Sequence, residues 1–450
     1  RDAHGRARAP VMVLSCCWPT ILKLVELALI VCLEIIDRWL LLFWIPLECW
    51  RKVRETGMHI VTDVQPLKRK TVVIVGANFG GLAALEEVSH NPLLHVVVID
   101  QREYFEYTPG VLRLFCDPSL FSSLAGATPK GSHEFLLGTV TEISSSSVVV
   151  SRASGCSRVV DFDYLILATG ADYRQPITPM ASESTLSARA STWNKEAARV
   201  RNASSVLVLG GGAVGAELAA EIVCHYPSKR VTIVDALPHL VPLFPPRTVQ
   251  HVESWFKDRR VELLLGEQLE KWDEQSCTCK DGRVIAADLV YVCFGLRSNS
   301  QPLSASDLAS SLGPRKEVMV NRYLQVEGHQ HIFAVGDVMS HPSGEIKQAY
   351  YAEMNGMLAG RNVLRHLQGL PLQRYPEDVA GSPVMPLVYV VSLGRYDGSL
   401  GFNKLVINGP LAALLKWFIE WTKVRQMKRR PVGKIVWALG DAVSFFLSRT

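Results

Sequence analysis

Thr71-Val-Val-Ile-Val-Gly-Ala-Asn-Phe-Gly-Gly-Leu82 is the stretch that decides the fold. Val72 to Val75 is an unbroken β-branched run, the composition of a strand buried on both faces. Gly76-Ala-Asn-Phe-Gly80-Gly81 then turns the chain into a helical pattern over 82–88. A second apolar run, His95 to Ile99, ends on Asp100, 24 residues after Gly76. This is the spacing of a βαβ dinucleotide-binding unit. Small residues bring the backbone close to a pyrophosphate at a helix N-terminus, and the distal acid accepts a ribose hydroxyl. Gly76, Asn78, Phe79, Gly80, Gly81 and Asp100 are therefore candidate nucleotide contacts. Asn78 stands where the second glycine of G-x-G-x-x-G falls, and is expected to serve through its tolerance of left-handed backbone angles.

The unit then repeats. Val206-Leu-Val-Leu-Gly-Gly-Gly-Ala-Val-Gly215 is a strand followed by a complete G-x-G-x-x-G in Gly210, Gly212 and Gly215. A helix over 216–224 and a strand over 231–234 follow, ending on Asp235, 25 residues after Gly210. An acid there binds both ribose hydroxyls of NADH and repels the 2′-phosphate of NADPH, so NADH is expected and NADPH disfavoured. Glu217, near the start of this helix, is a candidate nicotinamide-side catalytic contact; Glu221, one turn on, reads as an ordinary solvated carboxylate. Gly295 ends a later strand, 288–295, and would face the nicotinamide ribose.

Between the two units, Tyr104-Phe-Glu-Tyr-Thr-Pro109 crowds three aromatic rings just after Asp100. Val159 to Gly170 reads as one strand ending in Ala168-Thr169-Gly170, a turn that in two-dinucleotide flavoproteins marks the crossing between domains. His331-Ile-Phe-Ala-Val-Gly336-Asp337 is a strand running into a carboxylate able to accept from a flavin ribityl chain. A helix over 346–366 follows, with Lys347 in its first turns and its dipole aimed at the flavin ring. Two such units imply FAD held permanently and a nicotinamide that exchanges, with hydride passing from nicotinamide C4 to flavin N5. Lys347 is the candidate donor stabilising reduced flavin.

Composition narrows the rest. A formal charge of +5 over 450 residues is too mild to imply a nucleic-acid partner. The ten cysteines show no zinc-site or secreted-framework spacing, so no metal is expected and the compartment is read as reducing. Cys16-Cys17 and Cys277-Thr-Cys279 are the close pairs. Neither is a C-x-x-C able to relay electrons, so the acceptor is expected to reach the flavin directly. Because the sequence opens on Arg1, a fragment or processed form is expected.

Both ends are apolar and amphipathic. Residues 11–50 hold Trp18, Trp39, Trp44 and Trp50, interrupted by Lys23, Glu26, Glu34, Asp37 and Arg38, which fall within about 120° of one helix face. The uncharged stretches are shorter than the roughly 20 residues that span a bilayer. Near the other end, Leu411 to Trp421 sets apolar residues over Lys416, Glu420 and Lys423. Six cations then crowd twelve residues: Lys423, Arg425, Lys428, Arg429, Arg430 and Lys434. Both ends are read as lying on an anionic membrane surface, with a lipid-soluble quinone as acceptor and a homodimer left open. The expected class is α/β: two Rossmann-like dinucleotide-binding domains with membrane-associated amphipathic termini. The divisions are 1–65, a first FAD segment 66–195, a nicotinamide domain 196–316, a second FAD segment 317–372, and a C-terminal part 373–450.

Four motifs, Gly76 to Gly81, Tyr164 to Gly170, Gly210 to Glu217, and Leu324 to His329 with Ala334 to Asp337, resemble those of ferroptosis-suppressor-type homologues of apoptosis-inducing factor. More distantly they are similar to type II NADH:quinone dehydrogenases. The resemblance runs from about Lys70 to about Trp421 and includes Ser392-Leu-Gly-Arg-Tyr-Asp-Gly398. It implies FAD, oxidation of NAD(P)H and reduction of a ubiquinone- or vitamin K-type quinone at a membrane. It also places Arg113 and Val140 near FAD and Lys347 near the flavin ring. The apolar N-terminal extension departs from that pattern. Monodehydroascorbate or oxygen as acceptor, and a redox-sensing interaction protein with incidental turnover, are the rival readings.

Overall fold

The computed structural model describes residues 20–38, 40, 69–153 and 155–447. Trp18, Trp39, Trp44, Trp50 and Cys16-Cys17 lie outside the described residues. In chain order, the elements that matter begin with helix α1 (20–38), strand β1 (Lys70–Val75), helix α2 (Phe79–Val88) and strand β2 (Leu94–Asp100). Next come β3 (Glu134–Leu137), β4 (Tyr164–Leu167), β5 (Ser205–Leu209), α3 (Ala213–His225) and β6 (Arg230–Asp235). The remainder are β7 (Glu262–Leu265), β8 (Leu289–Val292), β9 (Ile332–Ala334), α4 (Ala349–Leu367), α5 (Pro410–Met427) and α6 (Pro431–Leu447).

Two parallel sheets carry the molecule. The first runs β9-β4-β1-β2-β3, with Val72 opposite Val96 and Val73 opposite Leu165. Its central residues Val72, Val73, Ile74, Val97, Val98, Leu165 and Ile166 are fully buried, which is why these strands are apolar throughout rather than alternating. The second runs β7-β6-β5-β8. The chain leaves the first sheet after β4 and returns to it at β9, which pairs with β4 through Ile332 and Leu165. At the crossing, Ala171–Asp172 pairs antiparallel with Arg297–Ser298, the Thr169 hydroxyl donates to the Asn299 carbonyl at 2.7 Å, and Asn299 N–H donates to Gly170 O at 3.0 Å.

The structure corrects several element boundaries. The stretch read as one strand from Val159 is two, Ser157–Asp161 and β4, in different sheets. Asp163 breaks the run, its carboxylate accepting from Thr71 N–H at 2.8 Å. Helix α4 starts at Ala349, so Lys347 precedes it. Cys277 and Cys279 are buried in a three-stranded antiparallel sheet.

The polar faces of both amphipathic ends turn toward the protein. In α1 the acids face inward: Glu26 pairs with Arg395 at 2.7 Å, and Glu34 and Asp37 both pair with Arg425. The outward face is apolar, with Leu24, Leu27, Val31, Ile35 and Ile36 exposed. In α5 the polar side chains likewise point into the protein: Lys416 to Glu217, Glu420 to Arg113, and Lys423 to Glu353 on α4. Five cations of the basic run are thus engaged within the chain: Lys423 and Arg425 as above, Lys428 with Ser122 O, Arg429 with Lys130 O, and Lys434 with Glu86. A carboxylate or carbonyl partner was invisible in a run without acids because each comes from a distant segment.

Candidate active site

The two glycine turns are built alike. Gly76 and Gly210 open them in left-handed conformations, at φ +105° and +110°, where a side chain is strained. A β-carbon at Gly81 would lie 1.8 Å from Gly76 O, and one at Gly215 would lie 1.9 Å from Gly210 O. Each helix therefore starts against its own turn. Gly80 serves another contact: a β-carbon on Gly356 of α4 would lie 2.0 Å from Gly80 O, so α2 and α4 cross backbone to backbone. Gly212 differs, with nothing within 4 Å of its missing β-carbon, leaving room before the N-terminus of α3. Asn78 is extended at φ −117°, so the expected left-handed conformation is not what admits it. Its side-chain amide donates to Glu106 O at 3.1 Å, and its buried Oδ1 has no partner among the described residues.

The two distal acids also match. Asp100 accepts from Ala77 N–H at 2.7 Å and from Arg102 N–H at 2.9 Å. Asp235 accepts from Gly211 N–H at 2.5 Å and from Leu237 N–H at 2.7 Å. Each brace ties the end of the second strand to the glycine turn, and Asp100 is further paired with the Arg102 guanidinium at 3.4 Å. Phe79 meets the Tyr107 ring edge-on at 5.8 Å. Val140 is buried just beyond Gly138, whose N–H donates to Asp100 O at 2.9 Å. Gly170 and Gly295 adopt φ of +69° and +82°, with no atom within 4 Å of where a β-carbon would stand.

Asp337 lies in the turn Gly336–Val338, directly after β9. Burial pushes its carboxyl up, with Lys347 pulling back. Lys347 donates to Met339 O, and burial pushes its ammonium down against the opposing pull of Asp337 and Glu345. Its amine is thus engaged with backbone in a loop, rather than riding on the first turns of a helix.

At the second turn, Glu217 is buried and accepts from Ser392 N–H at 2.7 Å, Ser392 Oγ at 3.2 Å and Lys416 Nζ at 2.7 Å. Lys416 also reaches Ser392 Oγ at 2.6 Å. Arg113, in the 3-10 segment Thr108–Phe115, pairs with Glu420. Glu221 is not solvated: it is 1% exposed, and neither carboxylate oxygen has a hydrogen-bond partner among the described residues. Sequence reasoning missed Lys416, Ser392 and Glu420 as site residues. Ser392 stood in a quoted motif, and the other two sat on the polar face of an amphipathic helix whose partners come from distant segments.

These cradles fit two dinucleotides. There are two helix N-termini with backbone close behind them, a vacant approach at Gly212, an orphaned amide oxygen at Asn78 and a buried carboxylate at Asp337. A family model for pyridine nucleotide-disulphide oxidoreductases matches residues 70–356. The chain belongs to that family.

As a pyridine nucleotide-disulphide oxidoreductase it is an enzyme that uses FAD and NAD(P)H. It is 30% identical over 350 residues to ferroptosis suppressor protein 1 of Xenopus laevis, covering 74% of this chain and 88% of that protein. It is 26% identical over 371 residues to apoptosis-inducing factor homolog B of Dictyostelium discoideum, covering 77% and 92%. Among solved structures, NDH2 from Plasmodium falciparum in complex with NADH superposes with a TM-score of 0.64 at 13% identity, over 85% of this chain and 97% of that one. A sulfide:quinone oxidoreductase from Aquifex aeolicus also gives 0.64, at 21% identity, over 80% and 92%. The family is named for disulphide chemistry; here Cys277 and Cys279 sit on the three-stranded sheet, where Cys277 packs with Leu209 of β5, and Cys116 lies near Cys224 of α3, all as free thiols.

Proposed function

We propose that this chain is a membrane-associated NADH:quinone oxidoreductase. The observation behind this reading is the segment Ser392 to Gly398. Within four residues it supplies Ser392 to Glu217, beside the second glycine turn, and Arg395 to Glu26 on α1. Helix α5 does the same, with Lys416 and Glu420 toward the site and Arg425 toward α1. One end of the site is therefore continuous with a helix whose outward face is apolar. A lipid-soluble acceptor suits that continuity. No helix among the described residues is long and apolar enough to cross a membrane, so attachment along the surface fits better.

In this reading Gly76, Asn78, Phe79, Gly80, Gly81, Asp100, Arg113, Val140, Thr169, Gly170 and Asp337 hold FAD. Gly210, Gly212, Gly215, Asp235 and Gly295 hold NADH, and Asp235 disfavours NADPH by repelling a 2′-phosphate. Bound FAD supplies the two-electron chemistry between the nicotinamide and the quinone. Lys347 fixes the loop facing Asp337, and the Glu217–Lys416 pair stands where the nicotinamide-side wall meets the acceptor end of the site. The test is anaerobic stopped-flow on protein in liposomes. NADH should bleach the flavin absorbance, and a ubiquinone analogue should restore it rapidly. Bleaching without quinone-dependent return would overturn the quinone assignment.

A further inference from the structure

Glu217, Glu221 and His225 recur every fourth residue along α3, and so stand one above another on one face of that helix. Their surroundings grade from interior to solvent. Glu217 is bonded to Lys416 and Ser392, Glu221 is closed off from water, and the His225 side chain is 38% exposed. His225 Nδ1 lies 3.7 Å from a Glu221 oxygen and 3.0 Å from the Glu221 backbone carbonyl. A carboxylate this buried without hydrogen bonds is costly as a fixed structural group, and a packed apolar residue would serve the core better. Its isolation calls for another reason.

We infer that His225, Glu221 and Glu217 form a proton path from solvent to the acceptor end of the site. The inference rests on the quinone reading. Reduction of a quinone to a quinol takes two electrons and two protons. NADH delivers both electrons and one proton as hydride, so one proton must enter from water: NADH + H⁺ + quinone gives NAD⁺ + quinol. The path supplies that proton and returns to its starting state by taking another at His225. The groups facing Glu221 suit a carboxyl that gains and loses a proton. Arg113 approaches from the 3-10 segment, Lys416 from α5, and Cys116 from the chain after the 3-10 segment; Glu217, Cys224 and His225 share its helix. Burial pushes the Glu221 carboxyl up, while Arg113, His225 and Lys416 hold it back. A small rotation of the His225 side chain closes the 3.7 Å gap to Glu221.

The test compares quinone with ferricyanide, a one-electron acceptor that takes up no proton, using flavin-loaded enzyme and NADH. Glu221→Gln preserves shape and removes the proton site. It should lower the ratio of quinone to ferricyanide turnover at least tenfold, and raise the solvent deuterium isotope effect on quinone turnover. His225→Gln, at the exposed end, should lower the same ratio, with recovery on adding imidazole. Infrared spectra of the wild type should contain a protonated-carboxyl band that Glu221→Gln lacks. An unchanged ratio in both variants, or the same infrared band in Glu221→Gln, overturns the path. Absence of quinone turnover in the wild type instead overturns the quinone reading. If Glu221→Gln fails to fold, His225→Gln with imidazole still decides the matter.

Discussion

Lys416 Nζ lies 2.7 Å from Glu217 Oε1, joining a helix near the C-terminal end to the second dinucleotide turn across 199 residues of sequence. The pair is largely buried, and Ser392 bonds both partners. Charges so placed hold geometry more than they stabilise, because desolvation offsets much of the attraction.

Lys416→Met should therefore destabilise the protein by about 2 kcal/mol, chiefly through the carboxylate it leaves unpaired. Combined with Glu217→Gln the loss should fall well short of the sum, with a coupling of roughly 1 kcal/mol or more. Urea denaturation of the four proteins in the cycle measures this; strictly additive losses would refute a working pair.

Gly212 and Gly215 separate folding from binding. The open space at Gly212 accommodates a side chain in the protein alone, whereas a β-carbon at Gly215 meets Gly210 O. Gly212→Glu should stay folded and yellow with bound flavin while losing flavin bleaching by NADH. Gly215→Ala should lower Tm by several degrees. Loss of flavin from Gly212→Glu would show that the second turn does not serve the nicotinamide.

Asp235→Ala should narrow the preference for NADH over NADPH at least tenfold in kcat/KM, since no anion then opposes the 2′-phosphate. The variant also frees Gly211 N–H, so some loss of kcat/KM for NADH itself accompanies the change. Equal discrimination before and after would sink the assignment.

His341 gives a pH prediction. It is buried against the Tyr375 ring, its Nδ1 accepts from Ser343 N–H, its Nε2 has no partner among the described residues, and burial pushes its pKa down to about 4. An unfolded histidine titrates near 6.5, so the folded state binds fewer protons in between. The stability this residue contributes is complete above about pH 6.5 and is lost as pH falls toward 4. Tm measured from pH 7 to pH 5 should fall by several degrees, and His341→Gln should fall less. Parallel curves would contradict this.

The outward face of α1 can be tested separately. Leu24→Glu with Val31→Glu should lower co-sedimentation with liposomes at least tenfold while NADH:ferricyanide turnover keeps its rate. Unaltered co-sedimentation would remove α1 from membrane attachment.

The parallel sheets were legible because burial on both faces leaves a continuous apolar run, as at Val72 to Val75, and because only small residues fit where a helix begins against a turn. Asp100 and Asp235 were found by spacing alone. What escaped was whatever depended on the orientation of a surface: an amphipathic pattern specifies two faces but not which one meets the protein. In α1 and α5 the polar face turned inward, because its partners, Arg395, Arg425, Glu217 and Arg113, lie far away in sequence. Glu221 escaped for the same reason. Likewise the buried Arg189, stacked on Trp193 and paired with nearby Glu183, takes its other carboxylate, Glu106, from a segment 83 residues away.

Helix α1, with its polar face inward, also bears on how the enzyme would meet the acceptor proposed above. Its acids Glu26, Glu34 and Asp37 tie it to Arg395 and Arg425 of the body of the protein. On the membrane-associated reading proposed above, that grip would set how the molecule sits at an interface, with the apolar face of α1 turned toward the lipid. Encounter with a lipid-dissolved acceptor would then become a search in a plane with the docking angle already chosen.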